Sequence, residues 1–199
     1  NHSVYAALTN GSDTLSGHKS TTYSITGGAT VSNATAATTL ATTNTYTIKA
    51  TTVDNAGNSA TRTQIVKIDK EAQTAPEITN PSNGAWTNGN VTITAKSTDA
   101  HSGIDKIEWY ENGAWTTRAL TTTDGTGVIT YTADRNETIR FRAVDKAGNA
   151  SSESTTVVKI DKTSPSDIAP TVVSTTNTIT VTSKQTDSLS GIKSGTIQY

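Results

Sequence analysis

The 199-residue sequence contains no cysteine, so no disulfide bond can stabilise its fold. Extracellular domains of eukaryotes often carry disulfides, and their absence favours a bacterial surface or, as an alternative, a virion. An excess of one charge is also missing, because 16 basic residues accompany 17 acidic ones. This balance argues against binding to nucleic acid or to an anionic membrane. No run approaches the ~20 apolar residues that span a bilayer, so we expect no membrane insertion by this segment.

Motifs for catalysis are missing as well. The sequence has no Walker-type glycine loop, no Cys–His cluster and no His-x-x-His pair. His101 lies near Asp99 and Ser102, but neighbours within one loop cannot adopt the orientation of a hydrolase triad. We therefore expect a chain that is not an enzyme. The opening residues Asn1–Val4 lack the regions of a signal peptide, so an exported protein would carry its targeting and anchoring parts outside this segment.

Three short sequence motifs, called phrases below, recur along the chain in the same order. They are Asp-x-x-Ser-Gly at Asp13–Gly17, Asp99–Gly103 and Asp187–Gly191, Val-Asp-x-Ala-Gly-Asn at Val53–Asn58 and Val144–Asn149, and Lys-Ile-Asp-Lys at Lys67–Lys70 and Lys159–Lys162. A period near 90 residues with ordered landmarks indicates a tandem array of similar domains. The predicted domains are residues 1–70, a repeat without its first strand, residues 71–162, a complete repeat, and residues 163–199, the N-terminal part of a third.

The hydrophobic pattern predicts an all-β fold. Apolar residues alternate with polar ones in segments such as Val91–Lys96 and Ile139–Ala143, and no segment sustains the apolar stripe of a helix. Threonine, which occurs 43 times, favours extended backbone and keeps the outer face of a strand polar. A two-residue turn is expected at Asn112–Gly113. About seven short strands per repeat predict a Greek-key β-sandwich, with a closed barrel as the alternative.

The repeated phrases resemble the bacterial immunoglobulin-like repeats of large cell-surface and adhesin proteins. The residues that carry this resemblance are Thr98–Ile104, Val144–Asn149 and Val157–Lys162. The resemblance extends over essentially the whole chain, although the first repeat is the more diverged copy. It implies tandem immunoglobulin-like sandwiches whose partners are neighbouring repeats of the same or an adjacent chain.

Sandwich topology predicts where the recurring aspartates of the repeats meet. The B–C and F–G loops lie at one end of such a domain, and the last strand leaves at the other, so Asp69, Asp99 and Asp145 should converge. The same rule pairs Asp161 with Asp187. Three carboxylates with backbone carbonyls could supply the 6–8 oxygens that Ca²⁺ requires, and the family resemblance implies calcium at such junctions. The alternative is that an aspartate such as Asp145 accepts amide hydrogen bonds within its own turn.

The aspartates of the first repeat, Asp13 and Asp54, would face a preceding domain under the same rule. The three tryptophans all lie in the second repeat. Trp109 is expected in the core, whereas Trp86 and Trp115 are candidates for binding a host or cell-surface glycan.

The function that this sequence favours is a structural stalk or spacer in an extracellular protein of the bacterial cell surface or cell wall. One alternative is a carbohydrate-binding accessory module. Another is a subunit of a surface filament, surface layer or phage appendage, in which one subunit supplies a strand to the next.

Overall fold

The computed structural model describes residues 2–28, 30–111, 113–118, 124–167 and 170–193. All helix or strand structure in these residues is β-strand, so the all-β prediction is confirmed. The chain divides into two compact units, made of Asn1–Thr74, Ser97–Asp105 and Ala143–Ser152 in the first and Ala75–Lys96, Lys106–Arg142 and Glu153–Tyr199 in the second. The predicted repeat limits at residues 70 and 162 stay a prediction.

In its described residues the first repeat contributes six antiparallel strands to two sheets. They are β1 (Val4–Ala6), β2 (His18–Thr26), β3 (Val31–Ala34), β4 (Thr38–Leu40), β5 (Asn44–Asp54) and β6 (Ser59–Ile68). One sheet has the order β3-β2-β5-β6, and the other pairs β1 with β4. The buried residues Tyr23, Ile25, Tyr46 and Ile68 of the larger sheet form one core with Leu40 of the smaller sheet. The two sheets therefore pack face to face as a sandwich.

The part of the second repeat that the structure describes contributes eight strands. They are β7 (Glu77–Thr79), β8 (Trp86–Thr87), β9 (Val91–Lys96), β10 (Ile104–Glu111), β11 (Ala114–Arg118), β12 (Thr126–Tyr131), β13 (Arg135–Asp145) and β14 (Ser154–Ile160). A five-stranded sheet has the order β11-β10-β13-β14-β8, and a three-stranded sheet has the order β12-β9-β7. Two separate sheets form a sandwich rather than the closed barrel that we considered.

Period-two alternation builds the core of the second repeat. On β9 the side chains of Val91, Ile93 and Ala95 are buried, and the intervening residues are more exposed. Strand β13 buries Ile139, Phe141 and Ala143 in the same way. Fully burying such side chains stabilises a domain by about 1.5–3 kcal/mol each for the larger ones.

The first strand region of the second repeat crosses from one sheet to the other. Strand β7 pairs with β9, and after a turn at residues 80–84 strand β8 pairs with β14 of the opposite sheet. The turn contains Asn83 and Gly84 at positive φ, 48° and 74°. Strands β8 and β14 run parallel, so the second part of this strand region is the hydrogen-bonded neighbour of the last strand of the repeat.

Two sequence predictions fall partly outside the described residues. Strands β10 and β11 form a hairpin in which Glu111 opposes Ala114, and Gly113 has a φ of 81°, but Asn112 of the predicted turn is not among the described residues. In the third repeat, β15 (Thr171–Ser174) pairs with β16 (Ile179–Thr182). The strand expected near the end of that repeat falls on residues 194–199, outside the described part.

Candidate functional site

Three aspartates from distant parts of the sequence converge within the first compact unit. Asp69 follows the end of β6, Asp99 lies in the loop after β9, and Asp145 is the last residue of β13. Each offers a carboxylate oxygen within 4.8 Å of the other two. Asp69 and Asp145 are buried, with 7% and 1% of their surface exposed. The structure thus brings together the three residues that the sequence predicted to meet.

Asp145 stabilises the turn that follows it. Its Oδ1 accepts the backbone N–H of Asn149 at 2.8 Å, and its Oδ2 accepts the Asn149 side-chain amide at 2.7 Å. Gly148 takes the positive φ of 87° that this turn requires. Asp54 and Asn58 form the same two hydrogen bonds in the first repeat, at 2.8 Å each. The turn-capping role is therefore present in both copies.

Asp99 organises its own loop. Its Oδ1 accepts the backbone N–H groups of His101 at 3.0 Å and Gly103 at 2.7 Å. Asp187 repeats this arrangement with the N–H groups of Leu189 and Gly191, at 3.1 and 2.8 Å. Each carboxylate fixes the loop conformation by accepting local amides, as aspartates commonly do in turns.

Asp69 connects the end of the first repeat to this loop. Its Oδ1 accepts the N–H of Glu71 at 3.0 Å, and its Oδ2 accepts the N–H of Ser102 at 3.1 Å. In the second compact unit, Asp161 does the same with the N–H groups of Thr163 at 3.0 Å and Ser190 at 2.9 Å. The sequence predicted that these aspartates meet the loops but did not identify the serine amides as their partners.

A hydroxyl residue five positions after Asp69, and another five positions after Asp161, completes the arrangement. The N–H of Thr74 donates to the carbonyl of Thr98 at 3.2 Å, and the N–H of Thr98 donates back to Thr74 Oγ1 at 3.1 Å. Ser166 and Thr186 form the same reciprocal pair, with both distances 2.9 Å. We call the aspartate–serine bond together with this reciprocal pair the linker contact.

The three converging carboxylates carry negative charge that no basic side chain neutralises directly. None of them forms an ion pair with a lysine or arginine in the part of the chain that the structure describes. Asp99 Oδ2 accepts no hydrogen bond from a described residue. Burial alone would raise the pKa of Asp69, but hydrogen bonds from Ser102 and the Glu71 amide outweigh it and hold that pKa below its ordinary value.

The other aspartates that the sequence predicted lie in two places, Asp161 with Asp187 in the second compact unit and Asp13 with Asp54 in the first. Hydrogen bonds from Ser190 lower the pKa of Asp161, and Asp187 lies close enough to contribute. Asp13 accepts the N–H of Leu15 at 2.7 Å and, with Asp54, lines an open groove of about 400 Å³ in the first unit. The prediction that Asp13 and Asp54 face a preceding domain stays a prediction.

The tryptophans divide into one core residue and two edge residues. Trp109 is 3% exposed and belongs to the core, as the sequence predicted. Trp86 on β8 and Trp115 on β11 are half-buried at opposite edges of the five-stranded sheet. Four strand spacings, about 19 Å, separate those edges. The two residues therefore do not form a single stacking platform.

Polar and aromatic neighbours cover Trp115 on the outer face of this sheet. Its ring meets that of Tyr110 edge-on, with the centroids 5.4 Å apart. The guanidinium groups of Arg142 and Arg140 lie 4.3 and 5.5 Å from the Trp115 ring centroid. Such cation–π contacts occur in ordinary packing as well as in ligand sites.

Comparison with known proteins identifies the domain class. Residues 76–157 match the family model described as a bacterial Ig domain. This part of the chain is similar to bacterial immunoglobulin-like domains, which confirms the resemblance carried by the repeated phrases. The match covers the second repeat, whose strand order is that of the two-sheet sandwich described above. None of the curated proteins is similar to the chain.

Two solved structures show weaker likeness. The fibronectin(III)-like modules of Clostridium thermocellum CbhA are 18% identical over 79% of this chain and 85% of theirs, with a TM-score of 0.40. A 1.5-MDa bacterial ice-binding adhesin is 17% identical over 80% of this chain and 59% of the solved adhesin chain, with a TM-score of 0.36. Because both TM-scores are low, the fold assignment depends on the strand order and on the family match. No helix in the described residues is long and apolar enough to cross a membrane.

Proposed function

We propose that this chain is a structural spacer segment of an extracellular bacterial surface protein, in which immunoglobulin-like repeats follow one another. The linker contact is the observation that supports this most directly, because it occurs twice with the same donors and acceptors. Each copy fixes the residues after one repeat's last strand to the Asp-x-x-Ser-Gly loop of the next repeat. Such a joint restricts bending more than a free polar linker does.

A surface-display experiment tests the spacer role. The chain is placed between a cell-wall anchor and an adhesive tip domain, and adhesion of the cells to a receptor-coated surface is measured. We expect adhesion to persist when the chain is replaced by an unrelated series of immunoglobulin-like domains of similar length. We also expect adhesion to fall when the chain is replaced by a short flexible linker. Loss of adhesion with the unrelated domains would contradict the spacer role, because it would show that specific surface residues are needed.

We further propose that Ca²⁺ binds where Asp69, Asp99 and Asp145 converge. The donor set fits a hard cation, since three carboxylates lie within 4.8 Å of one another and Asp99 Oδ2 is left without a described hydrogen-bond donor. A bound cation would offset the repulsion among the three charges and would add ligands from backbone carbonyls. Ca²⁺ would therefore stiffen the linker contact at this point.

Thermal unfolding in calcium chloride and in chelator tests this proposal. At a concentration 100 times the dissociation constant, a ligand adds about 2.7 kcal/mol to stability, which for a domain of this size raises Tm by on the order of 10 °C. Asp99→Asn should abolish the rise, whereas the matched variant Asp13→Asn should keep it. An equal Tm in calcium and chelator would refute calcium binding.

The second candidate function is a carbohydrate-binding accessory module. It is favoured by the half-buried Trp115, which lies beside Tyr110 on the outer face of the five-stranded sheet. Glycan-array binding that disappears in Trp115→Ala and persists in Trp86→Ala would support it. The third candidate, a filament or phage-appendage subunit, predicts helical order in electron micrographs of the purified chain.

A further inference from the structure

In both copies the linker contact involves the same backbone groups of a loop, which we call the receiving groups. These are the N–H of the serine in Asp-x-x-Ser-Gly and both backbone groups of the residue before its aspartate. In the second repeat they belong to Ser102 and Thr98, and in the third to Ser190 and Thr186. Two independent copies within one chain show that the arrangement is a built feature of the repeat rather than an accident of one loop.

The first repeat presents the same receiving groups. The corresponding residues are Ser16 and Ser12, on either side of Asp13. Among the described residues, neither the Ser16 N–H nor the N–H or carbonyl of Ser12 has a hydrogen-bond partner. The loop itself is formed, because Asp13 accepts the N–H of Leu15 and the Oγ of Ser16 donates to Asp13 at 3.0 Å.

An open groove passes Ser12 and Asp13 of this loop. Its volume is about 400 Å³, and its lining includes Gly11, Ser12, Thr52, Asn58 and Ala60. Asn58 occupies the position of Asn149, whose side-chain amide reaches the carbonyl of Asp69 at 3.3 Å in the second repeat. In the first repeat the Asn58 amide bonds to Asp54 alone among the described residues. The groove therefore carries polar groups that an extended peptide segment can bind.

We propose that this groove binds an extended peptide of the form Asp-x-x-x-x-Thr/Ser, as found in the linker after an immunoglobulin-like repeat. The peptide aspartate would accept the Ser16 N–H, and the hydroxyl residue five positions later would form the reciprocal pair with Ser12. In this chain the segments Asp69–Thr74 and Asp161–Ser166 have this form. The inference deepens the proposed array and rests on it, since it names the partner of the first repeat.

Pairing with β1 would extend the contact that the bound peptide makes. In the second repeat β9 lies between β12 and β7, whereas β1 pairs with β4 alone among the described strands. In the second repeat the segment after Thr74 continues into β7, which pairs with β9. A peptide that continues past its hydroxyl residue can add a strand to β1, on the side away from β4, in the same way.

The test uses the whole 199-residue chain and a synthetic peptide of residues 67–79, which includes both the linker contact and the segment corresponding to β7. Binding is measured by calorimetry in calcium chloride, so that repulsion among the carboxylates does not mask it. Amide chemical shifts locate the peptide. We expect saturable binding, with the largest shifts at Ser12, Ser16 and Asn58.

Peptide variants make the result specific. Replacing the peptide aspartate, Asp69→Ala, removes a charged acceptor and should weaken binding about tenfold or more. The matched control Glu71→Ala should change affinity less than about twofold, because the Glu71 side chain is exposed and takes no part in the linker contact. Equal losses for the two variants, shifts outside the groove, or no binding would each overturn the proposal. None of these outcomes would contradict the spacer role, because the surface-display experiment tests that role without the peptide.

Discussion

The buried turn aspartate Asp145 should contribute far more to stability than its half-buried counterpart Asp54. The two residues make the same pair of hydrogen bonds, to Asn149 and to Asn58, with lengths of 2.7–2.8 Å. Asp145 is 1% exposed and Asn149 is 9% exposed. Asp145→Ala therefore leaves two buried donors that water cannot easily reach.

The expected loss follows from those two bonds. A hydrogen bond to a charged group contributes about 1.5–3 kcal/mol, so Asp145→Ala should cost about 3 kcal/mol or more. Around Asp54 solvent can replace the lost acceptor, and the loss from Asp54→Ala should be markedly smaller. Dividing about 3 kcal/mol by a urea m-value of about 1–3 kcal/mol/M gives a midpoint shift of between about 1 and 3 M.

The assay is urea unfolding in chelator, so that metal binding does not contribute. Tryptophan fluorescence reports the second repeat alone, because Trp86, Trp109 and Trp115 all lie there. Circular dichroism follows the whole chain. Asp145→Ala should shift the fluorescence midpoint strongly, and Asp54→Ala should leave it nearly unchanged. Equal stability losses in the two variants, as measured by circular dichroism, would refute the argument that burial sets the contribution of this turn.

Two of three further predictions concern the second repeat, and the third concerns Asp69 at the end of the first repeat. In Gly127→Ala the new methyl group would lie 3.0–3.1 Å from Ile107 side-chain atoms of the facing sheet. We therefore expect the free energy of unfolding, measured in urea, to fall by about 1–3 kcal/mol. Gly89→Ala should lower it less, because the nearest atom to the new methyl group is 3.4 Å away. Glu108→Gln should lower the unfolding midpoint at pH 7, since the buried carboxylate contacts a lysine and an arginine at 2.7 and 2.8 Å; an unchanged midpoint would contradict this. Because the pKa of Asp69 is lowered in the fold, its carboxylate stabilises the protein at neutral pH. This stabilisation is lost as the pH falls below about 4. Asp69→Asn should therefore lose less stability than the wild type on acidification.

The sequence predicted most of the fold because burial imposes a period of two on a strand. Val91, Ile93 and Ala95 show this pattern in the sequence and are buried in the structure. The meeting of Asp69 with Asp99 followed from topology, since the end of one repeat precedes the loops of the next. Repetition of the landmark phrases made both predictions possible without any knowledge of side-chain positions.

The partners of the aspartates could not be predicted in the same way. The amide of Ser102 lies 33 residues from Asp69, and a backbone N–H leaves no signature in a sequence. The signal that could have identified the linker contact is the hydroxyl residue five positions after each aspartate, Thr74 and Ser166. Sequence also did not show that Trp86 lies at the sheet edge opposite to Trp115, because strand order in space differs from strand order in the chain.

Pulling the chain by its two ends in a single-molecule force experiment tests the spacer role most directly. In the second repeat, β8 and β14 are the earliest and latest strands along the chain in the five-stranded sheet, and they are parallel neighbours. A pulling force therefore loads their hydrogen bonds together. We predict a discrete unfolding event for this repeat that releases about 30 nm, the extended length of its strands and loops. Smooth lengthening at low force, without such an event, would contradict a load-bearing function.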